Sequence, residues 1–375
     1  MKKKDPFHYT KAEIRFLDQV GDILDNPEAV ERAYMARQLV QCTLPHSDPG
    51  DKPAWVRTNG NLSLVIRPGW DARGNKSIGY PYGSLPRLVL FWLTAEAVKT
   101  RSPKIELGNT LAEFMRELGL SWSTGAGPRS DARRLREQMN RLFRASISFE
   151  QSLERPDGAE GSRWLDMRVA PKGELWWDPK MPDQGALWGS WVQLSQEFFE
   201  AITAAPVPLD MRALRALKRS PLALDLYTWA TYRTFSVRKA GKAVTVPYGA
   251  LQAQLGTNYE RERDFKTALK DALGKVQRVY PALKCEMEEG GLTILPGLTA
   301  VRTKAKAIKP TDEPPKALPI DRHSLKPETY QKAREAAPGY DVRYLEELWR
   351  EWVSSKGIQI THPDGHFLRF CKTQK

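Results

Sequence analysis

One pattern of sequence signals occurs twice in the chain, with the two copies about 135 residues apart. Each copy reads as a strand, a short helix that ends in Leu-Gly, a long basic helix and then a pair of strands. The Leu-Gly pair stands at 118–119 in the first copy and at 255–256 in the second. The repeat therefore predicts two domains of like fold.

The order helix, strand, helix, helix, hairpin is that of a winged helix, a helix-turn-helix closed by a β-hairpin. We predict an α+β protein with tandem winged-helix domains, and the 375 residues agree with two or three cores of ordinary size. The predicted parts are an N-terminal helical leader at 1–60, winged-helix domains at 61–185 and 186–300, a basic and Pro-rich linker at 301–320, and a small helical C-terminal module at 321–375.

Local patterns place the predicted elements along the chain. In the leader, two helical patterns lie within 10–42, the first around 14–24 and the second around 30–40. In the first domain we predict a strand at 62–66, a buried helix opening at Ser84 and Pro86, a strand at 104–107, helices at 110–118 and 130–144, a strand at 146–150, and a hairpin of 163–170 with 173–177. In the second we predict leading helices at 191–202, 209–219 and 220–235, a strand and short helix within 243–256, a basic helix at 260–280, and strands at 283–288 and 292–295.

The charge balance favours a polyanionic partner. Lys and Arg total 58 against 45 Asp and Glu, a formal net charge of +13, so nucleic acid ranks ahead of an anionic membrane. No apolar stretch is long enough for a membrane span, and the basic start continues without the apolar core of a signal peptide. Three cysteines without a CxxC spacing predict neither disulfides nor a zinc site. We expect a soluble protein of the bacterial cytoplasm.

The two long basic helices carry organised faces when residues are placed at 3.6 per turn. Apolar stripes are formed by Leu135, Met139 and Leu142 in the first helix and by Phe265, Leu269, Leu273 and Val276 in the second. The polar faces carry Arg129, Arg133, Arg136, Asn140 and Arg144 in the first, and Arg263, Lys266, Lys270 and Arg278 in the second. One such face is usually only solvated, but two in register predict recognition helices in successive major grooves of duplex DNA.

Other features have a plainer alternative beside the functional one. Arg163, Arg168 and Lys172 on the first hairpin are candidate backbone contacts of a wing, or ordinary exposed charges. Twelve tryptophans could stack on single-stranded bases, but Trp92, Trp229, Trp349 and Trp352 lie in apolar helical patterns, and core packing is the expected role of most of the twelve.

Catalytic and metal motifs fail in detail, so we predict no enzyme, no cofactor and no metal. The segment GWDARGNKS at 69–77 imitates a phosphate loop, yet its spacing is broken and no helix is predicted after it. His362 and His366 flank a Pro-Asp-Gly turn and lack an evident third ligand, which favours a surface turn over a metal pair.

Residues 81–125 resemble the plasmid-encoded RepA replication initiators of iteron-containing, broad-host-range plasmids. The shared elements are the Tyr-Gly-x-x-Pro-Arg-Leu run at 82–88, the stretch 94–98, the Leu-Gly turn at 107–108 and the block 114–119. The resemblance implies two winged-helix domains on repeated origin sites, a monomer–dimer equilibrium with dimers that repress their own promoter, and monomers that open AT-rich DNA. It also implies recruitment of host DnaA and of the DnaB-type helicase.

Two alternatives to an initiator remain open at this point. The same domains could serve a transcriptional repressor without replication activity, or the chain could be a nicking-rejoining rolling-circle nuclease with a Tyr nucleophile. One departure from the repeat concerns the loop 121–129, which is much longer than its counterpart in the second copy and makes the docking of the first helix less well defined.

Residues 340–375 are similar to the small C-terminal modules of helicase-loading proteins. An apolar helical face is formed by Leu345, Leu348, Trp349 and Trp352, with Phe367 and Phe370 able to cover it. The segment is either a small helical cap on the second domain or a module that contacts helicase or primase.

Overall fold

The computed structural model describes residues 9–121, 130–154, 160–176, 189–301, 325–337, 342–355 and 363–372. The chain divides into two compact units, 1–303 and 304–375. The first unit begins with α1 (Lys11–Asp25), β1 (Arg32–Met35), α2 (Arg37–Gln41), β2 (Trp55–Asn59), β3 (Leu62–Arg67), β4 (Trp70–Asp71), β5 (Lys76–Ser77) and α3 (Ser84–Thr100). It continues with β6 (Lys104–Gly108), α4 (Leu111–Glu117), α5 (Asp131–Arg144), β7 (Ser146–Glu154), β8 (Glu160–Arg168), β9 (Lys172–Glu174) and β10 (Ser190–Gln193). It ends with α6 (Gln196–Thr203), β11 (Val207–Asp210), α7 (Met211–Leu217), α8 (Pro221–Ala240), β12 (Val244–Pro247), α9 (Tyr248–Gln254), α10 (Glu262–Val279), β13 (Cys285–Met287) and β14 (Gly291–Ile294).

The N-terminal region is only partly helical. The first predicted helix is confirmed as α1, which opens with a capping box between Thr10 and Glu13. The second predicted helix is wrong over most of its length, because Arg32–Met35 is strand β1 and pairs antiparallel with β11. Ala33 and Met35 are buried on one face of that strand, so the apolar positions follow a two-residue period rather than a helical one.

Each copy of the repeat is built on a central helix that is buried on all sides. In α3 every side chain from 85 to 94 is buried, and in α8 every side chain from 222 to 231 is buried. The helices α5 and α10 pack against α3 and α8, respectively. These elements confirm the predicted buried helix at Ser84 and the two predicted basic helices.

The strands after α5 pair differently from the prediction. The predicted hairpin of 163–170 with 173–177 is wrong: β8 pairs antiparallel with β7 along its whole length, and β9 pairs with β10. This pairing places Met167 opposite Ile147, and both side chains are buried. The strands form one sheet of order β2-β3-β7-β8 and another of order β6-β10-β9.

The second copy has a compact sheet of its own, of order β12-β14-β13. The predicted hairpin after the basic helix is confirmed, with Cys285 opposite Ile294 and Met287 opposite Leu292. In the segment before α8, residues predicted as the start of a helix at 191 belong to β10, and α6 begins at Gln196.

A single hydrophobic core runs through the described part of the first unit, from Val20 to Ile294. Four strand pairings of the described residues cross the predicted domain boundaries: β1 with β11, β2 with β3, β6 with β10, and β9 with β10. The division at residues 60 and 185 remains a prediction within this continuous core.

The second unit contains α11 (Pro327–Ala336), α12 (Val342–Ser355) and α13 (Pro363–Lys372). Leu345, Trp349 and Phe367 lie at the centre of its own small core, as the apolar pattern predicts. Trp352 remains 41% exposed, although its ring contacts Phe370 and stacks on His366.

Candidate nucleic-acid interface

The helix α5 turns an apolar face inward and a polar face outward. Leu135, Met139 and Leu142 are completely buried, as predicted, and Ser130 caps the first turn by accepting a hydrogen bond from the Arg133 amide. This packing fixes which side chains of α5 point to solvent.

The predicted cations of α5 differ in their freedom. Arg133 and Asn140 are exposed and Arg136 is half-buried, whereas Arg129 lies outside the described residues. Arg144 is exposed, but its Nη2 donates to the carbonyl oxygen of Trp70 at 2.6 Å. Arg133, Arg136 and Asn140 are thus the described side chains of this face best able to reach a ligand.

The helix α10 repeats the arrangement over a longer span. Phe265, Leu269 and Val276 are completely buried. On the opposite side lie Arg263, whose side chain is 82% exposed, and the exposed Lys270 and Arg278. At 3.6 residues per turn, these three cations share one face of the helix.

Lys266 stands apart from the other predicted cations. Its Nζ lies 2.8 Å from the Glu262 carboxylate and 4.4 Å from the ring centroid of Tyr248, the first residue of α9. The hydrogen bond to Glu262 raises the pKa of Lys266. The side chain therefore bridges α9 and α10 in addition to carrying positive charge.

Gly274 lies on the outer face of α10, between Lys270 and Arg278. A Cβ there would meet nothing within 4 Å, so internal packing does not require a glycine. A glycine inside a helix destabilises it by about 0.5–1 kcal/mol relative to alanine. Gly274 therefore leaves a place without a side chain between Lys270 and Arg278 on the surface of the helix.

A buried ion pair that the sequence analysis did not predict joins α3 and α8, the helices against which α5 and α10 pack. The Arg87 guanidinium of α3 binds the Asp225 carboxylate of α8 through Nε–Oδ1 and Nη2–Oδ2, both 2.7 Å. Arg87 also donates to the carbonyl oxygens of Leu44, Pro45 and Gly83. A signal for the pair exists in the sequence, since each residue is the one charge in the buried stretch of its helix, 85–94 or 222–231, but nothing local joins the two.

His46 completes the buried cluster, with Nε2 at 2.7 Å from Asp225 Oδ2. Burial alone would raise the pKa of Asp225, but the Arg87 charge and the hydrogen bonds from His46 and Arg87 hold it at about 2. Burial lowers the pKa of His46, so the ring is neutral and its Nε2–H donates to the carboxylate. The cluster is structural, because its side chains satisfy one another inside the protein.

The hairpin charges are distributed unevenly between the two copies. Arg163 and Arg168 are exposed on β8, and Lys172 is exposed on the separate strand β9. The hairpin of the second copy carries the glutamates Glu286, Glu288 and Glu289. Exposed cations are therefore present on the strands that follow α5 but not on the strands β13 and β14 that follow α10.

The described residues give little support to a phosphate-binding loop or a metal-binding His pair. The phosphate-loop imitation at 69–77 folds as a two-strand hairpin, with Trp70 opposite Ser77, and a helix does not follow it until Ser84. His366 Nδ1 accepts a hydrogen bond from Trp349 Nε1 at 2.9 Å, and His362 lies outside the described residues. Within the described ranges, no group of three His, Cys, Asp or Glu side chains could hold a metal ion. No described helix is both long enough and apolar enough to span a membrane.

The central region of the chain is similar to one known family. Residues 80–248 match the family described as "Plasmid encoded RepA protein". This segment is similar to the plasmid RepA family. The match begins one residue before the stretch 81–125 and confirms the resemblance predicted there, while α10 lies beyond its end.

Among the solved structures that are similar to this chain are two crystal structures of RctB. A crystal structure of domains 2 and 3 of RctB is 14% identical, covers 69% of this chain and 95% of that chain, and has a TM-score of 0.42. A second crystal structure of RctB domains 2–3 is also 14% identical, covers 66% and 92%, and has a TM-score of 0.41. Comparison with curated protein sequences gives no significant match.

Proposed function

We propose that this protein is a plasmid replication initiator that binds repeated sites in double-stranded origin DNA through two winged-helix domains, at 61–185 and 186–300. The observation that carries the proposal is the recurrence of one exposed polar face on α5 and α10, in a chain with a RepA-family segment. Two equivalent faces at matching positions are expected in a protein that reads two DNA segments, whereas solvation alone requires no such match.

The element order supports the winged-helix assignment. The second copy runs α8, β12, α9, α10, β13 and β14, with β12 paired to the strand β14 of the hairpin. The first copy runs α3, β6, α4, α5, β7 and β8, but β6 pairs with β10 instead of with the hairpin. The second copy is thus the more regular of the two, and α10 is the stronger candidate for the recognition helix.

The proposed roles of the side chains follow from their chemistry. In this proposal Arg129, Arg133, Arg136, Asn140 and Arg144 of the first copy, and Arg263, Lys266, Lys270 and Arg278 of the second, contact DNA. Guanidinium groups suit guanine edges, an amide suits adenine, and cations elsewhere on the face neutralise phosphates. The glutamates of the second hairpin would be repelled by phosphates, so we propose that this hairpin does not follow the backbone closely.

The action we propose is binding without catalysis. Several protomers on adjacent repeats would strain the neighbouring duplex, and host DnaA and the DnaB-type helicase, or primase, would complete opening. The C-terminal unit is the proposed contact for helicase or primase, and a monomer–dimer equilibrium would separate initiation from repression of the protein's own promoter.

The testing experiment titrates the full chain against duplex fragments tiled across the DNA that flanks its gene. We expect one fragment with tandem repeats to bind. The logarithm of its affinity should fall linearly with the logarithm of the salt concentration, with a slope of about −0.9 for each phosphate contacted. Equal affinity for the single strands would contradict the proposal. Nicked circles after incubation with supercoiled origin plasmid and Mg²⁺ would instead favour a nuclease.

A further inference from the structure

The C-terminal end of α4 is held by α7 and by the residue that follows α7, which precede the second copy's central helix α8. Arg215, near the end of α7, donates from Nε to the Glu117 carbonyl oxygen at 2.8 Å, and Lys218 Nζ donates to the Gly119 carbonyl oxygen. Gly119 has φ of +69°, and a Cβ there would lie 2.7 Å from Arg215 Cγ. A glycine at this point serves both the left-handed backbone and the close approach of Arg215.

The turn between α9 and α10, in the second copy, is held by residues that precede α3, the central helix of the first copy. The Thr43 amide donates to the Gln254 carbonyl oxygen at 3.1 Å, and the His46 amide donates to the Gly256 carbonyl oxygen at 2.9 Å. The Gly256 amide in turn donates to Thr43 Oγ1 at 2.7 Å. A Cβ at Gly256 would overlap the carbonyl oxygen of Leu44, so only glycine fits.

Arg57 of β2 extends this second contact toward α10. Its Nη2 donates to the Thr257 carbonyl oxygen at 2.8 Å and to Asn258 Oδ1 at 2.6 Å, just before α10 begins. Its guanidinium also lies 4.4 Å from the ring centroid of Trp55. Arg57 and Arg215 therefore have matching roles, because Arg57 binds the turn between α9 and α10 and Arg215 binds the end of α4.

We infer that these reciprocal contacts hold α5 and α10 at one fixed separation, so that the protein recognises two blocks of DNA sequence at a single spacing, with Arg57 and Arg215 as positioning residues. This inference rests on the proposed duplex binding and specifies the spacing between the two blocks of DNA sequence. Each turn is fastened by hydrogen bonds to backbone carbonyl oxygens rather than by apolar contact alone. Hydrogen bonds depend on direction, so such contacts define the orientation of a helix as well as its position. The buried Arg87–Asp225 pair joins the central helices of the two copies and supports the same rigidity.

The first test uses a pool of duplexes with a randomised central segment, from which the full chain selects its sites. We expect two conserved blocks at one spacing. Inserting about five base pairs between them turns one block to the other side of the duplex. We expect this to lower affinity by about tenfold or more, the loss of one group of base contacts. The variant Arg57→Ala/Arg215→Ala should tolerate the insertion better than the wild type. A single block, or equal affinity at every spacing, would overturn the inference.

The second test needs no DNA and separates the two proposals. Spin labels are placed at Arg134→Cys and Lys275→Cys, beside the outer faces, in a Cys285→Ser background, because Cys42 and Cys371 are buried. Pulsed electron paramagnetic resonance should give one narrow distance distribution, broadened by Arg57→Ala and by Arg215→Ala separately. Arg67→Ala and Arg219→Ala are the matched controls and should leave it unchanged. Unchanged widths in all variants would overturn the fixed separation while leaving duplex binding intact. Absence of duplex binding by the wild type would overturn both.

Discussion

Arg87 and Asp225 form a two-point ion pair in which both side chains are almost completely buried, at 2% and 5% exposure. They join the central helices of the two repeat copies, and His46 and three backbone carbonyl oxygens satisfy their remaining hydrogen-bonding groups. Charges removed from water in this way are tolerated only when every partner is present. The pair is thus a specific joint between the copies.

Replacing Asp225 by Asn should be strongly destabilising. The change leaves the Arg87 charge buried without a counter-ion, which costs about 3–5 kcal/mol of unfolding free energy. Urea denaturation of wild type and variant measures the difference. Glu106→Gln is the control, because the Glu106–Lys104 pair is 63% and 54% exposed and should contribute less than about 1 kcal/mol. Equal losses in the two variants would contradict the importance of the buried pair.

The same cluster predicts a loss of stability on the acid side of neutrality. In the unfolded chain His46 takes up a proton near pH 6.5, whereas burial lowers its pKa in the folded protein. Between these pH values the unfolded state binds more protons, so the free energy of unfolding decreases as pH falls below 6.5. Asp225 adds a second loss between pH 3.8 and about 2.

The variant His46→Gln isolates the first of these effects, since it keeps a hydrogen-bond donor but cannot titrate. Urea midpoints of variant and wild type, measured between pH 7.5 and 5, should show a smaller decrease for the variant. Parallel decreases would mean that another group is responsible.

Gly274→Ala should change stability and DNA affinity in opposite directions. The alanine has open space, so the helix should gain about 0.5–1 kcal/mol. If the outer face of α10 lies against the duplex, the added methyl group should weaken binding. Gly21→Ala in α1 is the matched control, since that position also has open space, and it should stabilise without affecting affinity. Equal affinities of the two variants would contradict close approach at Gly274.

Removal of the C-terminal unit should leave the core of the first unit intact. The two units have separate apolar cores, so a chain ending at Pro319 should keep the urea midpoint and the duplex affinity of the full protein. Retention of DnaB-type helicase in a pull-down should be lost. Trp352→Ala in the full chain should weaken it as well, because this ring is 41% exposed. Unchanged retention in both would exclude the unit as the helicase contact.

The sequence predicted the elements whose signals are local. Leu135, Met139 and Leu142 recur at helical spacing, and the helix they indicate is present as α5. The four-residue strand Arg32–Met35 was missed because its partner is β11, far away in the chain. The hairpin after α5 was assigned wrongly because the Pro-Lys-Gly signal at 171–173 indicates a turn between neighbouring strands. The strand β8 pairs instead with β7, which places the buried Met167 opposite Ile147.

The candidate site was predictable as a surface but not in its detail. Helical periodicity placed Arg263, Lys270 and Arg278 on one face, and all three are exposed. Periodicity could not show that Lys266 binds Glu262 or that Arg144 binds the Trp70 carbonyl oxygen. The cross-contacts of Arg57 and Arg215 with distant turns likewise depend on tertiary packing, which no local pattern records.

The most direct measurement of the central claim is a duplex-binding titration of Arg263→Ala/Lys270→Ala at low and high salt, using the site that the wild type selects. Lys275→Ala is the matched control, because Lys275 is an exposed cation of the same helix that lies beside the face formed by Arg263, Lys270 and Arg278 and not on it. We predict that the double variant loses about tenfold or more in affinity, with a shallower salt dependence, while Lys275→Ala stays close to wild type. Unchanged affinity of the double variant at both salt concentrations would contradict α10 as the helix that reads DNA.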